Sequence, residues 1–191
     1  MARPRVMTSG DLVLLGLAVV LVLVAAALAG IEAALSRTSR FRAEKLERDL
    51  RARADRLVRV ARDAARYVNL LLLLRVAAEL GATVIAAVLV VRGVGPGNMS
   101  ILIATGAMTL VVYIGVGVGP RTLGAQHSDA IALRTAGFVL ALARVFGPLP
   151  QLLIVVGNAL TPGRGFPAGP FASESELRDL VDLAEQRDVI E

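Results

Sequence analysis

Val111-Val112-Tyr113-Ile114-Gly115-Val116-Gly117-Val118-Gly119-Pro120-Arg121-Thr122-Leu123-Gly124 closes a long apolar run and then interrupts it. Glycines alternate at 115, 117 and 119 ahead of Pro120, which has no N–H and disfavours helix in the residue before it. Arg121 follows at once and marks a water boundary. Inside lipid an opened backbone must find partners within the protein, so such a break is tolerated only where it is buried or lines a cavity. Two readings follow. The stretch is a helix terminator whose glycines let a neighbouring helix approach closely, or it frees carbonyls at membrane depth to face an ion.

Outward from that stretch, the chain is membrane-like throughout. Of its 191 residues 55% are hydrophobic and only 4% aromatic, and several uncharged runs reach about 20 residues. At ~1.5 Å per residue that is enough to cross a ~30 Å hydrocarbon core. The formal net charge is +5, but the arginines cluster beside the apolar runs. Positive-inside topology explains them with no nucleic-acid partner. There is no cysteine and a single histidine, His127, which excludes disulfides, thiolate metal sites and His-rich metal sites. No paired catalytic acids and no serine–histidine arrangement are present, so an enzyme is not expected. No cleavable signal is evident either, the first apolar run being too long for one.

After a polar lead with Arg3 and Arg5, Ser9 is predicted to cap the first helix, with Asp11 in its first turn. The first span is placed at about residues 12–35, and Leu12 to Ile31 carries no charge. Glu32 follows. A carboxylate at the end of a span is ordinarily a solvated interface residue, and becomes a site candidate when positive charge lies opposite. Arg37 to Arg66 then holds eleven Lys or Arg against five acids. Ala43, Leu46, Leu50, Ala54, Leu57, Ala61 and Ala65 make one apolar stripe on a charged helix. Glu44–Arg48, Glu47–Arg51, Asp49–Arg53 and Asp55–Arg59 are i,i+4 pairs. The arginine excess puts this segment in the cytoplasm and the N-terminus outside.

The second span, about residues 67–91, contains Arg75 and Glu79 four residues apart on one face. Each such charge costs roughly 2.5–3.5 kcal/mol on insertion scales unless paired or hydrated. The pair is either self-neutralising and turned to the bundle, or part of an ion site or gate. Arg92 to Ser100 is a Gly/Pro turn expected outside, and the third span, about residues 99–118, returns to the organising stretch. Small residues in the second and third spans, Gly81, Ala82, Ala86, Gly106 and Gly115, are expected at a dimer contact. Residues at about 130–160 do not span cleanly, because Arg134 and Arg144 punctuate the first part and Pro148 and Pro150 the second. They read as helices lying at the inner interface or as a broken hairpin. Thr161 to Phe171 is a Pro/Gly linker. Ser173 to Glu191 is predicted to be an acidic helix with Ser173 and Glu176 as its capping box.

The order of these parts resembles the membrane domain of the CNNM/CorC family, hemolysin-like magnesium and cobalt efflux proteins. Ile31-Glu32-Ala33-Ala34-Leu35-Ser36-Arg37 is similar to the run that ends the family's first span. Gly119-Pro120-Arg121-Thr122-Leu123-Gly124-Ala125 is similar to its Pro-Lys-Thr-Leu-Gly run. Ser173-Glu174-Ser175-Glu176-Leu177-Arg178 resembles the acidic segment that leads into a CBS pair. The resemblance implies an all-α integral membrane protein with three transmembrane helices and cytoplasmic juxtamembrane helices. It places the membrane domain at residues 1–165 and a linker with the start of the acidic segment at 166–191. It further implies a multi-pass plasma-membrane protein, a homodimer in lipid, and export of Mg2+ commonly coupled to Na+. ATP would enter only through CBS domains, which would begin where this sequence stops.

The departures fall at the ion site the family implies. Its serines before the first-span glutamate correspond to Ala29, Gly30 and Ile31, its Gly-Asn-Asn run to Leu74-Arg75-Val76, and its Gly-Glu to Val116-Gly117. Mg2+ needs hard oxygen ligands in near-octahedral geometry. Glu32 persists as the metal candidate, and carbonyls around Gly117, Gly119 and Pro120 join Arg75 and Glu79 as ion-pathway or ion-pair candidates. Two readings stand: a divalent-cation exporter with a modified site, or a non-transporting scaffold or regulator in which Arg75 occupies the former cation position and pairs with Glu32 or Glu79.

Overall fold

The computed structural model describes residues 8–49, 53–149 and 152. Regular structure among them is entirely helical: α1 (Ser9–Ser36), α2 (Arg40–Arg48), α3 (Ala54–Ala61), α4 (Ala64–Val94), α5 (Asn98–Val112), a π-helical segment (Tyr113–Val118), α6 (Gly119–Gln126) and α7 (Ser128–Phe146). Three continuous helices, Ser9–Ser36, Ala64–Val94 and Asn98–Gln126, are long and apolar enough to cross a membrane. With 28, 31 and 29 residues they reach more than 40 Å at ~1.5 Å per residue, beyond the ~30 Å hydrocarbon core. The third differs from the expected span ending near residue 118. The chain absorbs its glycines and proline in a π turn and continues helical to Gln126.

The residues fall into two compact units, Met1–Gly30 with Leu74–Thr122, and Ile31–Leu73 with Leu123–Glu191. In the first, α1 starts on Thr8 rather than on the expected Ser9. The Asp11 N–H donates to Thr8 Oγ1 at 3.3 Å and the Thr8 N–H to Asp11 Oδ2 at 3.0 Å, a reciprocal capping box. Asp11 also accepts from Arg92 Nη1 at 2.9 Å, joining the start of α1 to the end of α4. Further along, Leu21 meets α4 at Gly81, and Ala25 and Ala29 share a core with Ala78 and Val116. These pairings make α1 antiparallel to α4 and parallel to the third helix. The contact residues are small, as expected where dispersion rather than hydrophobic expulsion joins helices. Gly95 adopts φ +102°, a conformation costly for other residues, at the turn between α4 and α5. Its carbonyl accepts from the buried Ser100 hydroxyl.

The outward faces of these helices are apolar. Leu12, Val13, Leu23, Leu80, Val84, Ile101, Leu102 and Leu110 all keep more than half of their surface exposed. Contiguous apolar surface of that extent belongs in lipid rather than water.

In the second unit, α1 ends with Thr38 Oγ1 donating to the Ala34 carbonyl at 2.9 Å. Ser39 caps α2, its Oγ accepting from the Arg42 N–H at 3.2 Å. The single charged helix expected through Arg37 to Arg66 is instead divided. Arg53 takes left-handed φ of +73° before α3, which no continuous helix can contain. Of the expected ion pairs, Asp55–Arg59 forms at 3.2 Å. Glu44 accepts from Arg40 at 3.0 Å, one turn back, rather than pairing forward with Arg48. The Glu47–Arg51 pair involves a position outside the described residues. α3 packs on both α2 and α7, burying Ala54, Leu57, Val58 and Val60. α7 buries Ala132, Ala136 and Val139. Arg42 fastens α2 to α7, its Nε and Nη2 each donating to Asp129 at 2.8 Å. The linker from Thr161 and the acidic helix with its Ser173–Glu176 box lie outside the described residues.

Candidate ion site

Pro120 carries no N–H to return to the carbonyl of Val116 one α turn earlier, or to that of Gly115 one π turn earlier. The helix accommodates this by widening. The Gly119 N–H donates to Ile114, five residues back, and single π turns of this kind occur often at functional sites. Val116 in the widened segment is 1% exposed and packs on Ala25, Ala29 and Ala78. The glycines have different duties from those expected. A side chain at Gly115 would meet open space, and at Gly117 or Gly119 only the helix's own carbonyls at 3.6 Å. The close helix approach is made from the other side. A methyl at Gly30 of α1 would stand 3.2 Å from the Pro120 carbonyl oxygen. Gly30 therefore brings the α1 backbone against Pro120.

Arg75 and Glu79 are neighbours in α4. Arg75 Nε lies 3.6 Å from Glu79 Oε1, with 14% and 21% of the two side chains exposed. At that separation the contact is an ion pair rather than a hydrogen bond. The guanidinium thus has counter-charge one turn along its own helix.

In the other unit, Glu32 is 6% exposed. It is a buried carboxylate and not the solvated interface residue that its place at the end of a span ordinarily means. Burying such a charge is expensive unless it is compensated. Asn69 in α4 is buried too, at 8%, and reading the sequence for charges overlooked it. Its signal was available: it is the one amide in the apolar run from Tyr67 to Leu74. Among the described residues no group of three or more His, Cys, Asp or Glu side chains is placed to hold a metal ion. Glu32 offers a carboxylate and Asn69 an amide oxygen, hard donors that suit Mg2+ or Na+ better than a transition metal. The site residues accordingly divide: Gly117, Gly119, Pro120, Arg75 and Glu79 in the first unit, Glu32 and Asn69 in the second.

Three membrane-crossing helices, the third bulged at a Gly/Pro stretch, with arginine-rich short helices between the first two, define a small helical membrane domain. Residues 16–191 match the cyclin M transmembrane N-terminal domain, and the chain belongs to that CNNM family. Two curated UPF0053 proteins, from Mycobacterium bovis and Mycobacterium tuberculosis, are each 44% identical over 181 residues, covering 95% of this chain. A UPF0053 protein of Synechocystis is 32% identical over 87 residues, 46% of this chain and 24% of its own length. The chain spans 40% of the length of the two mycobacterial relatives.

Proposed function

We infer that this chain is the membrane domain of a divalent-cation exporter, with Mg2+ as cargo and Na+ as the coupling ion. The observation that carries the reading is Glu32, a carboxylate kept at 6% exposure at the end of an otherwise uncharged span. Intramembrane carboxylates are costly and mark ion paths by default. The buried Asn69 amide, in the same unit as Glu32, is an oxygen donor of the kind Mg2+ and Na+ accept. Local neutralisation of Arg75 by Glu79 favours transport, because a compensated guanidinium repels a passing cation less. The chain functions as a homodimer in the plasma membrane, with its N-terminus outside and the arginine-rich helices in the cytoplasm, as the charge bias favours.

The second reading, a scaffold or regulator without transport, draws on the same Arg75, whose side chain stands where relatives are expected to carry cation-binding oxygens. Proteoliposomes loaded with Mg2+ and a Mg2+-sensitive dye separate the two. The exporter reading expects Mg2+ flux that rises when a Na+ gradient is imposed. Flux equal to that of empty liposomes would leave the scaffold.

A further inference from the structure

α7 has two apolar faces, and only one is used among the described residues. Ala132, Ala136 and Val139 are buried. On the opposite side Arg134, Phe138, Ala141 and Val145 follow at steps of four, three and four, one stripe of a 3.6-residue helix, and all are exposed. Phe138 keeps 51% and Val145 69% of its surface. Arg134 stands at one end of this stripe, and Arg144, also exposed, flanks the other. The helix's sole acid, Asp129, is engaged by both donors of Arg42. An exposed apolar stripe bracketed by arginines, with no carboxylate left on the helix to answer them, asks for an apolar surface carrying negative charge. A second copy of α7 would bring two more arginines and no available acid. A leaflet containing anionic phospholipid supplies both requirements.

Connectivity keeps the helix at such a surface. α2 begins four residues after α1 ends, and α4 begins three residues after α3 ends. At no more than ~3.6 Å per residue, α3 is held close to the foot of a membrane-crossing helix, and α7 packs on α3. We propose that α7 is an anionic-lipid-binding helix: Phe138, Ala141 and Val145 enter the headgroup–acyl boundary while Arg134 and Arg144 bind lipid phosphate. Transport by the domain is not a premise of this assignment.

The protein contains no tryptophan, so Phe138→Trp gives a single fluorescent reporter in the stripe. Two sets of vesicles holding the 191-residue chain are compared: brominated phosphatidylglycerol diluted into plain phosphatidylcholine, and brominated phosphatidylcholine diluted into plain phosphatidylglycerol at the same fraction. The expected result is quenching in both sets, with phosphatidylglycerol preferred by at least about fivefold, the worth of one arginine at a charged membrane surface. Arg134→Gln with Arg144→Gln should reduce that preference towards unity, while Arg134→Lys with Arg144→Lys should keep it. The lysine pair also guards against misfolding, and Val145→Trp provides an independent reporter. Absence of quenching, equal quenching by both lipids, or indifference to the glutamine substitutions overturns the proposal. So does loss of the preference on adding inorganic phosphate, which would make this a free-anion site. A reporter shielded in cross-linked dimers but quenched in monomers would assign the stripe to a second copy and overturn it as well.

Discussion

Arg75 and Glu79 are joined by 3.6 Å inside α4 and keep 14% and 21% of their side chains exposed. Removing the Arg75 charge takes the guanidinium away from the Glu79 carboxylate in a poorly hydrated place. Arg75→Met is expected to lower stability in detergent by about 2 kcal/mol, below the ~3–5 kcal/mol of a fully buried pair because some exposure remains. The double variant Arg75→Met, Glu79→Gln should lose less than the two single variants added together, and a double-mutant cycle on thermal unfolding reads that coupling. Additive losses would mean the two charges are stabilised by other groups. This pair was legible in the sequence because four-residue spacing fixes a common helix face whatever the tertiary fold. Asn69 was not, since an uncharged amide in a leucine run gives no periodic signal and only burial singles it out. The cap was misplaced by one residue for a local reason. Thr8 and Ser9 are both good caps, and the reciprocal bond from Asp11 selects Thr8.

At the scale of elements, α1 and the third helix come together where Gly30 faces the Pro120 carbonyl with 3.2 Å to the position of a methyl. The neighbouring atom belongs to the backbone and yields little. Gly30→Ala should therefore cost about 1 kcal/mol, and Gly30→Leu about 3 kcal/mol by forcing the helices apart. Gly106 has nothing within 4 Å of its methyl position, and Gly106→Ala should leave monomer stability unchanged or slightly raised. Thermal unfolding of the three variants in one detergent checks the order, and equal losses at 30 and 106 would remove the Gly30–Pro120 contact from the account. The sequence marked where the third helix is disturbed, because Pro120 and its glycines allow little else. It did not say how, since a missing N–H is met equally by a break or by one widened turn, and packing of Val116 on Ala25, Ala29 and Ala78 favours continuity. The apolar stripe of Arg37 to Arg66 misled in the opposite sense. Its spacing is kept across α2 and α3, but Arg53 in the left-handed region turns the chain between them, and a stripe carries no information about that.

For the whole molecule, four of the five small residues expected at a dimer contact separate into two sets. Gly81 receives Leu21 and Ala82 is fully buried, so these serve packing within the chain. Gly106 and Gly115 face open space, and Gly106 lies among the exposed Leu102, Ile103 and Leu110. The proposed dimer should thus be sensitive to Gly106→Trp and insensitive to Gly81→Ala, read by cross-linking in nanodiscs. A monomer in every lipid condition would remove the dimer. The proposed orientation is tested on the naturally cysteine-free chain, where Asn98→Cys should react with an impermeant maleimide from outside and Arg59→Cys only after permeabilisation. The reverse pattern would invert the topology. Most directly, Mg2+ flux in proteoliposomes is compared between the unaltered chain and Glu32→Gln. The account predicts that the amide, nearly the same size but without the charge, lowers flux at least about tenfold, the equivalent of ~1.4 kcal/mol in the barrier, while the protein remains folded. Undiminished flux through Glu32→Gln would contradict it.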